Sequence, residues 1–294
     1  MSFAATATGT EDGGLQSRTV HAMQHERIER DIHLFVGDAY QSVATAFIDG
    51  DGVLLVDALA SADDARWLRH VLCDQMGKTV RVIAATHFMS DHLAALPLFP
   101  QATVIAHRNH RHAFLSQNRR DDAVYRDPEL VFDSALRIRW GRHELRLLHN
   151  PGKTMDHLSV DVPSADLVCA GDNIVGRIVY LSRADPAQVR TAIGRMRQFG
   201  RGTVVGGHIG RFGGEVLGHA LHYLDRLASA VVAIRVDARD PDARIAAIAI
   251  EDCLAPGVVP VAFEREWHQR NLEAIVAQSV FSLDAGIAMR SARA

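Results

Sequence analysis

The spacing of apolar and polar positions changes period several times along this chain. Residues 32–36, 43–48 and 53–56 are short, largely apolar runs with the composition of strands. Asp49-Gly50-Asp51-Gly52 separates the last two and predicts a hairpin. Ser61 or Asp63 supplies a cap for a helix to about Gln75, with Ala65, Leu68, Val71 and Leu72 on one face and Gly77 beyond its end. Residues 80–86 carry a single charge, Arg81, and predict a buried strand. A strand over 103–106 and a helix to about Gln117 follow, then a polar stretch, 118–128, with the composition of a loop or lid. Further strands are predicted at 136–140, 144–148, 158–162, 167–170 and 203–205, with a helix over 186–199 between the last two. Val216, Ala220, Leu224, Leu227 and Val231 return to helical spacing, and a helical tail occupies 245–250 and 264–281. Residues 1–25 show no period and read as a flexible leader. No repeat at a solenoid period is present.

Strands and helices in this order predict an α/β chain of two packed sheets with helices outside and chemistry on the loops at one edge. Composition narrows the function. The 294 residues carry 32 basic and 35 acidic groups, a net charge of −3, so no basic field is available for nucleic acid. No apolar run approaches membrane-spanning length. Three scattered cysteines argue against a disulfide framework, and the first 25 residues lack the apolar centre of a secretory signal, which places the expected site of action in the cytoplasm. Histidine is abundant, at 16, whereas lysine occurs only as Lys78 and Lys153.

The strongest chemical signal is His87-Phe-Met-Ser-Asp91-His92, directly after a predicted strand. Asp172, in Cys169-Ala-Gly-Asp172-Asn173, and His208, in Val204-Val-Gly-Gly-His208, also follow strand-like runs. Imidazole and carboxylate together suit Zn²⁺, Fe²⁺ or Mn²⁺, and a catalytic site needs about three protein ligands with one position open. Weaker candidates are His107, His110 and His112, read as solvated or capping histidines, and Cys169, read as a core residue. His157 is a pocket-lining candidate, and Arg177 and Tyr180 are candidates for substrate contact.

Thr86-His-Phe-Met-Ser-Asp-His92 resembles the Thr-His-x-His-x-Asp-His signature of the metallo-β-lactamase superfamily. Asn150-Pro-Gly-Lys-Thr154 resembles its Pro-Gly-His-Thr segment, Gly171-Asp172 its bridging aspartate and Gly207-His208 its last ligand. The resemblance implies an αββα sandwich over residues 26–222, with the metal pocket along one sheet edge and residues 223–294 as a helical extension packed on it. Two positions depart from the pattern. Met89 and Lys153 stand where the family has histidines, and a thioether or an ammonium is a poor substitute for an imidazole at zinc. The first family site then keeps only His87 and a share of Asp172, while the second maps onto Asp91, His92, Asp172 and His208. The expectation is one divalent metal, zinc ahead of iron or manganese, and a hydrolase of a small-molecule ester, lactone, thioester or amide. Asp91, Lys153 and Asp172 are its expected catalytic residues.

Lys153 is expected to reach Asp172, His87 or a pocket water and to replace part of the missing metal's charge. Met89 is expected to pack. Two alternatives stand beside the hydrolase: a regulatory binding protein in which Lys153 pairs with Asp172 and Asp91, and a mononuclear iron redox enzyme. Trp267, Leu272, Ile275 and Phe281 in the tail need a partner surface, either on the sandwich, over the pocket mouth or in a homodimer.

Overall fold

The computed structural model describes residues 22–117, 121–237 and 239–282. A seven-stranded sheet runs in chain order through β1 (Gln24–Glu29), β2 (Ile32–Val36), β3 (Val43–Asp49), β4 (Gly52–Val56), β5 (Thr79–Ala84), β6 (Thr103–His107) and β7 (Leu130–Phe132). Helix α1 (Ala62–Arg69) lies between β4 and β5 and continues as a π-helical turn to Gln75; α2 (His110–Leu115) follows β6. A six-stranded sheet contains β8 (Ala135–Trp140), β9 (His143–His149), β10 (Leu158–Val162), β11 (Leu167–Gly171), β12 (Thr203–Gly206) and β13 (Arg211–Gly213), again ordered as in the chain. Helix α3 (Pro186–Gln198) joins β11 to β12, and α4 (Val216–Asp237), α5 (Pro241–Ala246) and α6 (Ala262–Ala277) close the chain.

Side-chain alternation explains why so many strands are apolar on both faces. Ile32, Leu34, Phe47, Leu54 and Val56 face Leu145, Leu147, Leu158, Val160 and Leu167 across the two sheets. Their neighbours Phe35, Val53 and Leu55 turn outward onto Ala65, Leu68 and Leu72 of the first helical layer. On the other side Val168, Ala170 and Val204 meet α3, α4 and α6. Both faces of the central strands of each sheet are therefore covered, giving the four-layer αββα order.

Several expectations change. The leader ends earlier than residue 25, because Gln24 and His25 already belong to β1; this strand pairs antiparallel with β2 at the sheet edge, and its polar sequence gives no apolar signal. Residues 1–21 lie outside the described residues. The three-residue strands β7 and β13 are too short for periodicity to register. The described part of 118–128 is pinned rather than lid-like: Tyr125 stacks on Phe114, and Arg126 donates to the carbonyls of Phe99 and Ala102. Helix α4 crosses positions 222–223 without a break, and its first turns already pack against the sheet. Trp267, Leu272, Ile275 and Phe281 are buried in the layer that α4 and residues 174–181 complete, so the tail's apolar stripe is covered within the chain. Among the described residues no helix is long and apolar enough to cross a membrane.

Candidate metal centre

Parallel pairing brings the chemistry together. Strands β4 and β5 run parallel, with Val56 beside Ala84, and so do β11 and β12, with Gly171 beside Gly206. Parallel neighbours end at the same edge, so Asp57 emerges beside His87–His92, and Asp172 beside His208. One donor atom from each of Asp91, His92, Asp172 and His208 lies within 4.8 Å of all the others. Asp172 Oδ1 is 3.1 Å from His92 Nε2 and 3.2 Å from His208 Nε2, while Asp91 Oδ2 is 3.7 Å from His208 Nε2. His87 Nε2 approaches the other oxygen of Asp172, 3.5 Å from Oδ2, with its ring centre 4.5 Å from that of His92.

Each imidazole is oriented by a bond on its other nitrogen. His92 Nδ1 donates to Asp57 Oδ2 at 3.2 Å, and His208 Nδ1 donates to the Tyr40 carbonyl at 2.8 Å. Thr86 Oγ1 donates to Asp57 and accepts from His87 Nδ1 at 3.0 Å. All three Nε2 lone pairs are thereby turned toward Asp172. Two of these supports sit at left-handed backbone positions, Asp57 at φ 61° and Tyr40 at φ 56°. Non-glycine residues in that region are strained and persist where the surroundings hold them. Neither Asp57 nor Tyr40 stood out in the sequence; an aspartate directly after an apolar strand was the one available signal. Gly207 permits the close approach of Asp172, whose Oδ1 would collide with a Cβ there.

Charge is concentrated and buried here. Burial opposes a proton on His92, yet Asp172 and Asp91 override it and raise its pKa well above the usual imidazole value. His208 is raised in the same way, chiefly by Asp172. Burial also opposes the Asp172 carboxylate, but His208, His92 and His87 hold its pKa well below the usual range. The acids therefore demand positive charge between the side chains. His92 Nε2, His87 Nε2 and Asp172 Oδ1 are buried without a hydrogen-bond partner, so His92 and Asp172 approach without bonding each other. Unpaired buried donor atoms aimed at one point fit a divalent cation.

A sequence model of the Metallo-beta-lactamase superfamily matches residues 31–208, well over half of the chain. The chain belongs to this superfamily. No curated protein matches it. Among solved structures, a metallo-beta-lactamase from Pontibacter korlensis superposes with a TM-score of 0.59 at 17% identity, over 67% of this chain and 96% of that one. A stereoselective inverting sec-alkylsulfatase from Pseudomonas sp. superposes with a TM-score of 0.67 at 12% identity over 90% of this chain, which spans 51% of that protein. Likenesses at this identity show the fold. The superfamily contains mainly hydrolases and its members bind metal ions, so a hydrolase-type fold with a candidate ligand cluster is in place.

The residues that depart from the superfamily pattern occupy a different environment. Lys153 is buried, but its Nζ makes no ion pair within 4.0 Å among the described residues, so neither Asp172 nor His87, two of the three expected partners beside a pocket water, is in direct contact with it. It donates instead to the Ser182 carbonyl at 2.6 Å and lies 4.0 Å from the centre of the Tyr180 ring. The missing contact also removes the Lys153–Asp172 and Lys153–Asp91 pairs of the metal-free reading. Burial pushes the Lys153 pKa down to about 8, against the attraction of Asp172 and Asp91. Met89 is half-buried and, with Tyr180, lines both a cleft of about 710 Å³ that includes Lys153 and one of about 230 Å³ that includes Asp91, Asp172 and His208. His157 is buried behind the cluster, its Nε2 accepting from the Asp172 N–H at 3.0 Å; burial and His87 push its pKa well down, so the ring is neutral. Gly171, at φ 52°, makes room for that ring.

Other candidates are assigned elsewhere. Arg177 is tied to buried Glu264, Nη1 to Oε2 at 2.8 Å, so it braces α6 instead of facing substrate. His107 stacks on His149, His110 bonds Asp156 at 3.1 Å, and His112 is exposed; the first two are buried, where solvated or capping rings were expected. Cys169 is buried in the core between the sheets.

Proposed function

We propose that this chain is a hydrolase working with a single divalent ion held by Asp91, His92, Asp172 and His208. The observation that carries the reading is the pair of buried, unpartnered atoms His92 Nε2 and Asp172 Oδ1, 3.1 Å apart within the four-residue cluster. An ion bound there supplies an electrophile and acidifies water. Asp91 is the least buried of the four side chains, at 18% exposure, and faces the smaller cleft. It is placed to orient an attacking water and accept its proton. Asp172 lies between His92 and His208 and completes the ligand set with its Oδ1. Lys153 keeps a buried positive charge close enough to interact with Asp172 and Asp91, and it favours the negative charge that develops on the attacked group. Tyr40 and Trp267 wall the smaller cleft and limit water there.

The substrate is a small molecule that enters through the larger cleft and passes Met89 and Tyr180. Ester, lactone, thioester and amide bonds are the classes proposed; the alkylsulfatase neighbour adds sulfate esters to the series worth assaying. The expected result is hydrolysis of at least one class that stops on chelation and returns with zinc. Iron as the returning metal, together with redox turnover, would favour the mononuclear iron reading. Full activity after exhaustive chelation would overturn the proposal.

A further inference from the structure

The lining of the larger cleft carries a charge, on Arg183, that the hydrolytic reading leaves unused. Arg183 is exposed there, and no carboxylate among the described residues lies within 4.0 Å of its guanidinium. Its backbone sits at φ 58°, in the left-handed region, and the Gln278 Oε1 accepts its N–H at 2.9 Å. That bond belongs to a series. Glu264, Asn271 and Gln278 recur every seven residues along α6 and its end, which puts them on one face. They accept the backbone N–H groups of Arg177 at 2.7 Å, Leu181 at 2.7 Å and Arg183 at 2.9 Å. Asn271 also donates to the Val179 carbonyl at 2.7 Å. Helix α6 therefore splints the segment that presents Tyr180, the Ser182 carbonyl and Arg183 to the cleft.

Lys153 lies against the same segment, on the Ser182 carbonyl and the Tyr180 ring, within electrostatic reach of Arg183. Two cations thus share one wall. Among the described residues the single carboxylate lining this cleft, Asp185, accepts from the Ala187 N–H as the cap of α3. Phe88, Met89 and Met155 supply apolar surface in the same cleft. A strained, splinted backbone that holds an unpaired guanidinium beside a buried ammonium is a preformed place for negative charge.

We propose that Arg183, backed by Lys153, is the anchor for a compact oxyanion, a carboxylate or a phosphate-type group, on the substrate. The apolar part of that substrate lies over Met89 and Tyr180, which also line the smaller cleft, so the labile bond points toward Asp91 and Asp172. Only this orientation rests on the hydrolytic reading; the anion subsite does not.

Calorimetric titration of the chelator-treated chain with hexanoate and hexylphosphonate, and with hexanol as neutral control, tests the proposal. The expected result is that at least one anion binds about tenfold or more tightly than hexanol, and that Arg183→Gln removes the difference. The stronger of the two anions identifies the headgroup. Lysine labelling by reductive methylation, read by mass spectrometry, locates the ligand in the unaltered chain. The anion should slow labelling of Lys153 and leave Lys78 unchanged. Equal binding of anions and hexanol, or undiminished anion binding by Arg183→Gln, would overturn the subsite. Anion binding that returns only with restored metal would overturn it too, because the anion then sits on the metal. A chain that takes up no metal yet binds the anions through Arg183 would support the subsite while defeating the hydrolase reading.

Discussion

The two sides of Asp172 arise from the same kind of strand-end loop, yet they differ in what they offer a cation. On one side His92 and His208 present Nε2 lone pairs, each fixed by a bond at Nδ1, and Asp91 adds a partly exposed carboxylate. On the other side, among the described residues, His87 presents the one imidazole lone pair toward Asp172. Its neighbours in the family pattern have become a half-buried thioether and a buried ammonium. The difference teaches that exchanging two imidazoles for a thioether and an ammonium does not leave that side empty of charge. Lys153 brings a positive charge, but it is anchored on a carbonyl and an aromatic face rather than on Asp172. An ammonium attracts anions without offering a lone pair, so it resembles the electrostatics of a second metal and none of its ligand chemistry.

The comparison breaks most completely if Asp172 is changed. Asp172→Asn should weaken metal binding by roughly 3 kcal/mol or more, over a hundredfold, because it removes the charge shared by His92, His208 and His87. Equilibrium dialysis checks this, and unchanged affinity would mean the ion binds elsewhere. Asp57→Asn leaves every proposed ligand in place but removes the acceptor that orients His92. A loss of about 10- to 100-fold in metal affinity is expected, with the fold retained by circular dichroism.

Lys153→Met sharpens the other side. The folded-state pKa of about 8 lies below the ordinary lysine value of 10.5, so the native state holds the proton less tightly than the unfolded chain. The resulting penalty is full below pH 8 and fades as pH rises toward 10.5. Lys153→Met should therefore stabilise the metal-free chain at pH 7 by about 1–3 kcal/mol, with the gain shrinking between pH 8 and 10.5, while activity falls. Denaturant titrations at pH 7 and 10.5 read the difference, and a destabilised variant at pH 7 would show that the Ser182 bond outweighs desolvation. Met89→Ala, at a half-buried cleft position, should cost about 1 kcal/mol or less and leave metal affinity unchanged.

How much of this was legible follows from where each partner lies. The β4–β5 and β11–β12 strands announce themselves by apolar runs, so His87, Asp91, His92, Asp172 and His208 are visible at their ends. Asp57 is not, because a lone aspartate after a strand looks like any turn residue until its left-handed backbone and its bond to His92 are seen. The partner of Lys153 is a main-chain carbonyl, which no sequence pattern encodes. Apolar periodicity reveals that the tail must be covered, but the polar positions 264, 271 and 278 that splint residues 177–183 fall outside that pattern. Strand β1 escapes notice because an edge strand with exposed faces needs no apolar alternation.

The most direct test of the asymmetry is metal content per chain, measured by elemental analysis after saturation with zinc and removal of loosely bound ion. One equivalent is expected for the unaltered chain and close to two for the double variant Met89→His with Lys153→His, which restores both missing imidazoles beside His87. Two equivalents in the unaltered chain would contradict the asymmetry.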